Sequence, residues 1–98
     1  MSEVRFQWDP RKAAANLRKH RVSFTEAETV FLDEHGLLLD DPEHSGTEDR
    51  FLLLGSSADG RLLIVVHAYR AAAGIIRIIS ARKADREEQS HYQEQDHQ

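Results

Sequence analysis

The chain has 98 residues, of which 40% are hydrophobic and 31% charged, the make-up of one small domain with a single modest core. It contains no cysteine, which excludes a disulfide framework and a cysteine zinc site and fits a reducing, cytoplasmic setting. The longest apolar run, Leu62–Val66, is far shorter than the ~20 residues that span a bilayer, and Met-Ser-Glu-Val-Arg at the start has no apolar signal stretch. Neither membrane insertion nor secretion is expected. The net charge of -4 hides strong segregation. Residues 1–22 carry six Lys/Arg against Glu3 and Asp9, whereas Glu26 to Asp49 holds nine carboxylates and no Lys or Arg. From Arg50 to Lys83 there are six basic residues against Asp59 alone. Such blocks create local fields that a net charge does not report.

In chain order, residues 3–8 alternate and put Val4, Phe6 and Trp8 on one side of a short strand. Asp9-Pro10 ends it and opens a helix to about His20, with Asp9 as cap and Pro10 at the first helical position. Ala13, Ala14 and Leu17 form its apolar stripe, and Arg18, Lys19 and His20 complement the dipole of its last turn. Ser23-Phe24-Thr25-Glu26 is a capping box, with Val22 and Ala27 as the flanking staple. This second helix is expected to bury Phe24, Ala27, Val30 and Phe31 and to end near 33–36. Leu37-Leu38-Leu39 is a short strand closed by Asp40-Asp41-Pro42, and residues 40–49 form an acidic loop with His44 and Glu48.

Three strands follow, Arg50–Ser56, Leu62–Arg70 and Ile75–Arg82, the first two joined by an Asp59-Gly60 hairpin turn. After Lys83 a polar helix is expected, with Ala84 and Tyr92 its few apolar contacts, and a tail that frays from about residue 93. Strand 62–70 is apolar on both faces, so both faces need cover. The first two helices can cover one. The last helix is too polar to cover the other well, which leaves that face to the middle of the sheet or to a partner chain. The expected core comprises Val4, Phe6, Trp8, Leu17, Phe24, Val30, Phe31, Leu53, Ile64, Val66 and Ile78.

The ordered blocks are more specific than their composition. Phe6-Gln-Trp8-Asp9-Pro10 leads to Asn16-Leu17-Arg18-Lys19-His20, then to Val22-Ser-Phe24, Ala27, Val30-Phe31 and Asp33. Glu48-Asp49-Arg50, Gly55 and the run Ile76-Arg77-Ile78-Ile79-Ser80-Ala81-Arg82-Lys83-Ala84 follow, with Glu87 and Tyr92 beyond. From about Val4 to Tyr92 this resembles the BrnT family of bacterial type II toxins, although Tyr69–Gly74 is less charged than the turn expected there. The resemblance implies a RelE-like α+β fold: two N-terminal helices packed on an antiparallel sheet of about four to five strands, plus a C-terminal helix, in a single domain over 1–98. It also implies growth arrest by RNA cleavage, neutralisation by a cognate BrnA-like antitoxin, and contact with promoter DNA only through that antitoxin.

Metal-independent cleavage of RNA needs a base for the attacking 2′-hydroxyl and cations around the phosphate. Arginine suits the second role because its planar fork matches phosphate oxygens and stays charged. Arg50, Arg77 and Arg82 on adjacent strands are the candidate catalytic cations, with Glu48 or His67 as base. Arg70, Lys83, Lys19 and His20 are candidate RNA contacts. Arg77 stands out because it interrupts the run Ile75–Ile79, where a charged side chain needs a partner or a site; Glu48 is one such partner. His67 shares a face with Tyr69, where a satisfied core histidine is the commoner outcome. No phosphate loop, His-Glu-x-x-His motif or calcium-loop spacing occurs, so neither metal nor cofactor is expected. The competing reading is a non-catalytic module of the same fold that only contacts an antitoxin, or DNA with it. The two differ in whether Arg77 and Arg82 point into one open, basic concavity.

Overall fold

Local chemistry sets the element boundaries. In the computed structural model, which describes residues 4–41 and 49–95, Asp9 caps α1 (Pro10–His20) by accepting the Arg11 N–H at 2.8 Å. Ser23 caps α2 (Phe24–Thr29) through the Glu26 N–H at 3.0 Å, and Val22 and Ala27 close the staple fully buried. The second half of the capping box is replaced. The Glu26 carboxylate binds the Arg61 guanidinium and the Ser57 hydroxyl instead, which ties α2 to the hairpin 57–61. A 3-10 turn, Val30–Leu32, finishes the helical layer.

The strands are β1 (Arg5–Gln7), β2 (Leu37–Asp40), β3 (Arg50–Ser56), β4 (Leu62–Arg70) and β5 (Ile75–Lys83). They form one sheet in the order β1-β5-β4-β3-β2. Four strands are antiparallel as expected, but β1 pairs with β5 in parallel, so the sheet is mixed. The chain reaches β1 and β5 from opposite ends of the sequence, so no hairpin constrains their sense. α1 and α2 cover one face, the helix face, over Leu53, Leu63, Val65, Ile78 and Ala81. A close approach fixes this layer: a Cβ on Gly55 would lie 2.9 Å from Val30 Cγ1.

Part of the expected core is displaced. Val4 and Leu17 are about half exposed. The buried residue of α1 is Asn16, whose amide donates to Val22 O at 2.9 Å and Ala81 O at 2.8 Å and accepts the Ala81 N–H at 3.1 Å. A polar side chain clamps the helix to β5 where an apolar stripe was expected, and that rotates Leu17 outward.

The opposite face is partly covered. α3 (Arg86–Gln95) lays Tyr92 beside Ala84 over Leu37, Leu52, Leu54, Ile64 and Leu62. Its composition is as polar as the sequence indicates, yet it is held by specific bonds rather than by an apolar stripe. Asp85 and Glu88 form a reciprocal capping box, both bonds 2.8 Å, and the Tyr92 hydroxyl donates to Asp33 at 2.6 Å. Among the described residues no helix covers the upper half of this face, where Val66, Ile79 and Ser80 are partly exposed and Ala68 is buried.

Candidate functional site

The open face carries arginines because of one irregularity. In a regular strand Arg77 and Arg82, five residues apart, point to opposite faces. Between the pairs Val66↔Ser80 and His67↔Ile78 the register shifts, so Ile79 is the extra residue of a β-bulge. Beyond it the alternation restarts in phase. The rows across β3, β4 and β5 then read Arg50–Ala68–Arg77, Leu52–Val66–Ser80 and Leu54–Ile64–Arg82, all on the open face. Arg70 shares this parity at the end of β4, and Arg5 and Gln7 lie beside Ile75 and Arg77 across the parallel pair. With strands about 4.8 Å apart, Arg50 and Arg77 flank Ala68 at roughly 10 Å between backbones, a span that suits a phosphodiester and its neighbour.

On the same face a groove of about 360 Å³ runs between Arg50 and Arg82, lined also by Asp41, Leu52, Ile64, Val66, Ile79 and Ser80. Arg77 shares the face but does not line this groove, so Arg77 and Arg82 are not brought into one concavity as the sequence reading requires. Arg82 is fixed at its lower end by Glu88: Nη1 and Nη2 donate to the two carboxylate oxygens at 2.8 and 2.9 Å, and Nη1 also reaches Lys83 O at 3.2 Å. These bonds hold the Glu88 carboxyl below the ordinary carboxylate range against the opposing effect of its burial. They also raise the Arg82 guanidinium. The pair uses the end-on edge of the guanidinium, which leaves the side edge, Nε and Nη2, for a second planar anion. Sequence reasoning missed Glu88. Its signal was the Asp85-x-x-Glu88 spacing, a capping box just after a strand arginine.

The other candidates separate from this group. His67 is 3% exposed on the helix face, wedged against Phe31 and Phe51 at ring distances of 4.8 and 6.0 Å, with Nδ1 3.2 Å from Val65 O. Burial pushes its pKa down, so the imidazole stays neutral. It faces away from the arginines. Lys19 and His20 end α1 in the helical layer. Lys83 is exposed at the end of β5 and acts electrostatically on Glu26, again on the helix side. Glu48 lies outside the described residues, two positions before Arg50. Among the described residues no group of three or more His, Asp or Glu side chains forms a metal site, and no helix is long and apolar enough to cross a membrane.

Comparison with known proteins gives these features their context. No curated protein sequence matches the chain. The fold is similar to that of the Brucella abortus ribonuclease toxin BrnT, known from a 1.1 Å crystal structure, with a TM-score of 0.63 and 19% identity over 86% of this chain and 100% of that one. The family model described as the ribonuclease toxin BrnT of type II toxin–antitoxin systems matches residues 8–88. The class is therefore that of the ribonuclease toxins of type II toxin–antitoxin systems. Within it, the chain belongs to the BrnT family. For that family the target is RNA and the partner is an antitoxin.

Proposed function

We propose that the chain is an endoribonuclease that cuts RNA on its open face without metal, and that a cognate BrnA-like antitoxin neutralises it. The observation that carries this reading is the bulge at Ile79, which puts Arg77 on the face of Arg50 and Arg82. In the proposed reaction the 2′-oxygen attacks the adjacent phosphorus while the arginines neutralise the charge that builds on the phosphoryl oxygens. The 2′-hydroxyl gives its proton to the base, the bond from phosphorus to the 5′-oxygen breaks, and that oxygen takes a proton from solvent water, leaving a 2′,3′-cyclic phosphate and a 5′-hydroxyl. Glu48 is the proposed base because it stands two positions before Arg50 in the sequence, whereas buried His67 faces the other way. Arg77 and Arg50 are the primary phosphate ligands; Arg82 adds its side edge while Glu88 orients it. Arg70 extends the path for the RNA backbone.

The antitoxin excludes RNA by laying acidic segments across the same arginines. Contact with promoter DNA runs through the antitoxin alone, and the pair works in the cytoplasm. The test is cleavage of a defined RNA by purified protein with and without a chelator, with product ends analysed and folding checked by circular dichroism. Cleavage that persists in chelator and yields cyclic phosphate is expected, with Arg77→Ala folded and about a hundredfold slower, the effect of losing roughly 3 kcal/mol of transition-state stabilisation. Activity abolished by chelator overturns the metal-free chemistry. Folded Arg77→Ala and Arg82→Ala proteins that cut at the wild-type rate overturn the site.

A further inference from the structure

A second surface lies on the helix face, away from the arginines. Beyond the 3-10 turn a cleft of about 360 Å³ opens between the helical layer and the upper end of the sheet. Phe31, Phe51, His67 and Ile76 line it, and its mouth is formed by Val4, Leu38 and Tyr69, which are 50%, 61% and 45% exposed. Three of the large hydrophobic side chains left at the surface thus meet at one opening, a pattern that marks an interaction site.

Among the described residues no strand pairs with the outer side of the sheet edge beside the cleft. β2 is the outermost strand, and Asp41 N donates to Arg50 O at 3.3 Å, so 41↔50, 39↔52 and 37↔54 are the hydrogen-bonded pairs with β3. The alternation of an antiparallel ladder then turns the peptide groups of Leu38 and Asp40 outward, in position to pair with another strand. The charge at this corner is predominantly negative, three aspartates against Arg50. Asp40, Asp41 and Asp49 gather around Arg50 and Phe51 in a neighbouring hollow, and both Asp40 and Asp49 are exposed.

We propose that this edge and cleft dock an extended segment of a partner protein that carries apolar residues and a basic residue at alternate positions, on one face. The segment adds a sixth strand beside β2, pairing with the peptide groups of Leu38 and Asp40. Asp40 pairs with Phe51 and so shares the face of the cleft: the apolar side chains of the segment fill the cleft against Phe51 and Tyr69, and a Lys or Arg two positions on meets Asp40 and Asp49. The site meets the groove of the arginine face at Asp41 and Arg50, and its docking does not depend on whether that face cuts RNA.

The probe is a short synthetic peptide with Leu, Val and Lys at alternate positions and Thr between them, titrated into the full chain and followed by backbone amide NMR. A control peptide carries Glu in place of Lys. The Lys peptide is expected to shift the amides of Leu38 and Asp40 and the ring signals of Phe51 and Tyr69. Leu38→Lys and Asp40→Lys should each weaken it by about tenfold, and Leu38→Lys should leave RNA cleavage at the wild-type rate. Absence of shifts at millimolar peptide, equal binding of the Glu peptide, or binding indifferent to both substitutions overturns the proposal. So does self-association in the ultracentrifuge that Leu38→Lys abolishes, because the edge then belongs to a second copy of the chain.

Discussion

Replacing Glu88 by Ala removes one of the contacts that hold α3 to the sheet, the one that also orients Arg82. Two kinds of bond are lost: the ion pair to Arg82, and the acceptor for the Asp85 N–H in the capping box. The side chains of the pair are 41% and 23% exposed, so solvent screens it and the pair is worth about 0.5–1 kcal/mol. The cap adds about 1 kcal/mol. A total near 2 kcal/mol lowers the melting temperature by roughly 10 °C in a domain of this length. Thermal unfolding by circular dichroism measures the shift, and hydrogen exchange locates it in α3. The pH dependence follows from the lowered Glu88 pKa, whose largest cause is the Arg82 hydrogen bond. The stability Glu88 contributes is complete above its ordinary value of 4.5 and is lost as pH falls through the lower folded value, so wild type and Glu88→Ala converge in acid. A melting temperature within about 2 °C of wild type at pH 7, or unchanged protection in α3, refutes this account of the helix.

Two further outcomes test the helix face. Asn16→Ala leaves the Val22 and Ala81 carbonyls and the Ala81 N–H without their buried partner, and should cost about 3 kcal/mol in urea unfolding; a loss below about 1 kcal/mol refutes the clamp. His67 is neutral in the folded protein because burial lowers its pKa from the ordinary 6.5, so the unfolded chain takes up the proton first. Stability is therefore greatest above 6.5 and falls as pH drops from there toward the folded value, and His67→Gln should flatten that slope; equal slopes in the two proteins contradict the assignment.

Much of the scaffold was legible because it depends on local chemistry. The Asp9 and Ser23 caps, the Asp59-Gly60 turn and the alternating strands follow from the preferences of single residues and of period two. The same alternation puts His67 on the face of Tyr69, yet the sequence reading also offers it as a base, and the structure buries it away from the arginines. What the sequence concealed depends on long-range pairing. Ile75–Ile79 is apolar throughout apart from Arg77, so no break in pattern marks the bulge at Ile79 that rephases the strand. β1 has three residues, too few to specify a partner or a sense. Leu17 looked like core and Asn16 did not, because the buried carbonyls that Asn16 satisfies come from Val22 and from Ala81, 65 residues away. α3 looked too polar to cover the sheet because its hold comes from Arg82, Asp33 and Tyr92 rather than from a stripe.

The most direct test of the arginine face compares two charge-equivalent losses on one RNA substrate: Arg77→Ala on the open face and Arg18→Ala, exposed on α1 on the other side. Each removes one positive charge, so a purely electrostatic attraction to RNA predicts similar effects. With cleavage confined to the face assembled by the bulge, Arg77→Ala cuts about a hundredfold more slowly while Arg18→Ala stays within about twofold of wild type. Equal rates for the two folded variants contradict it.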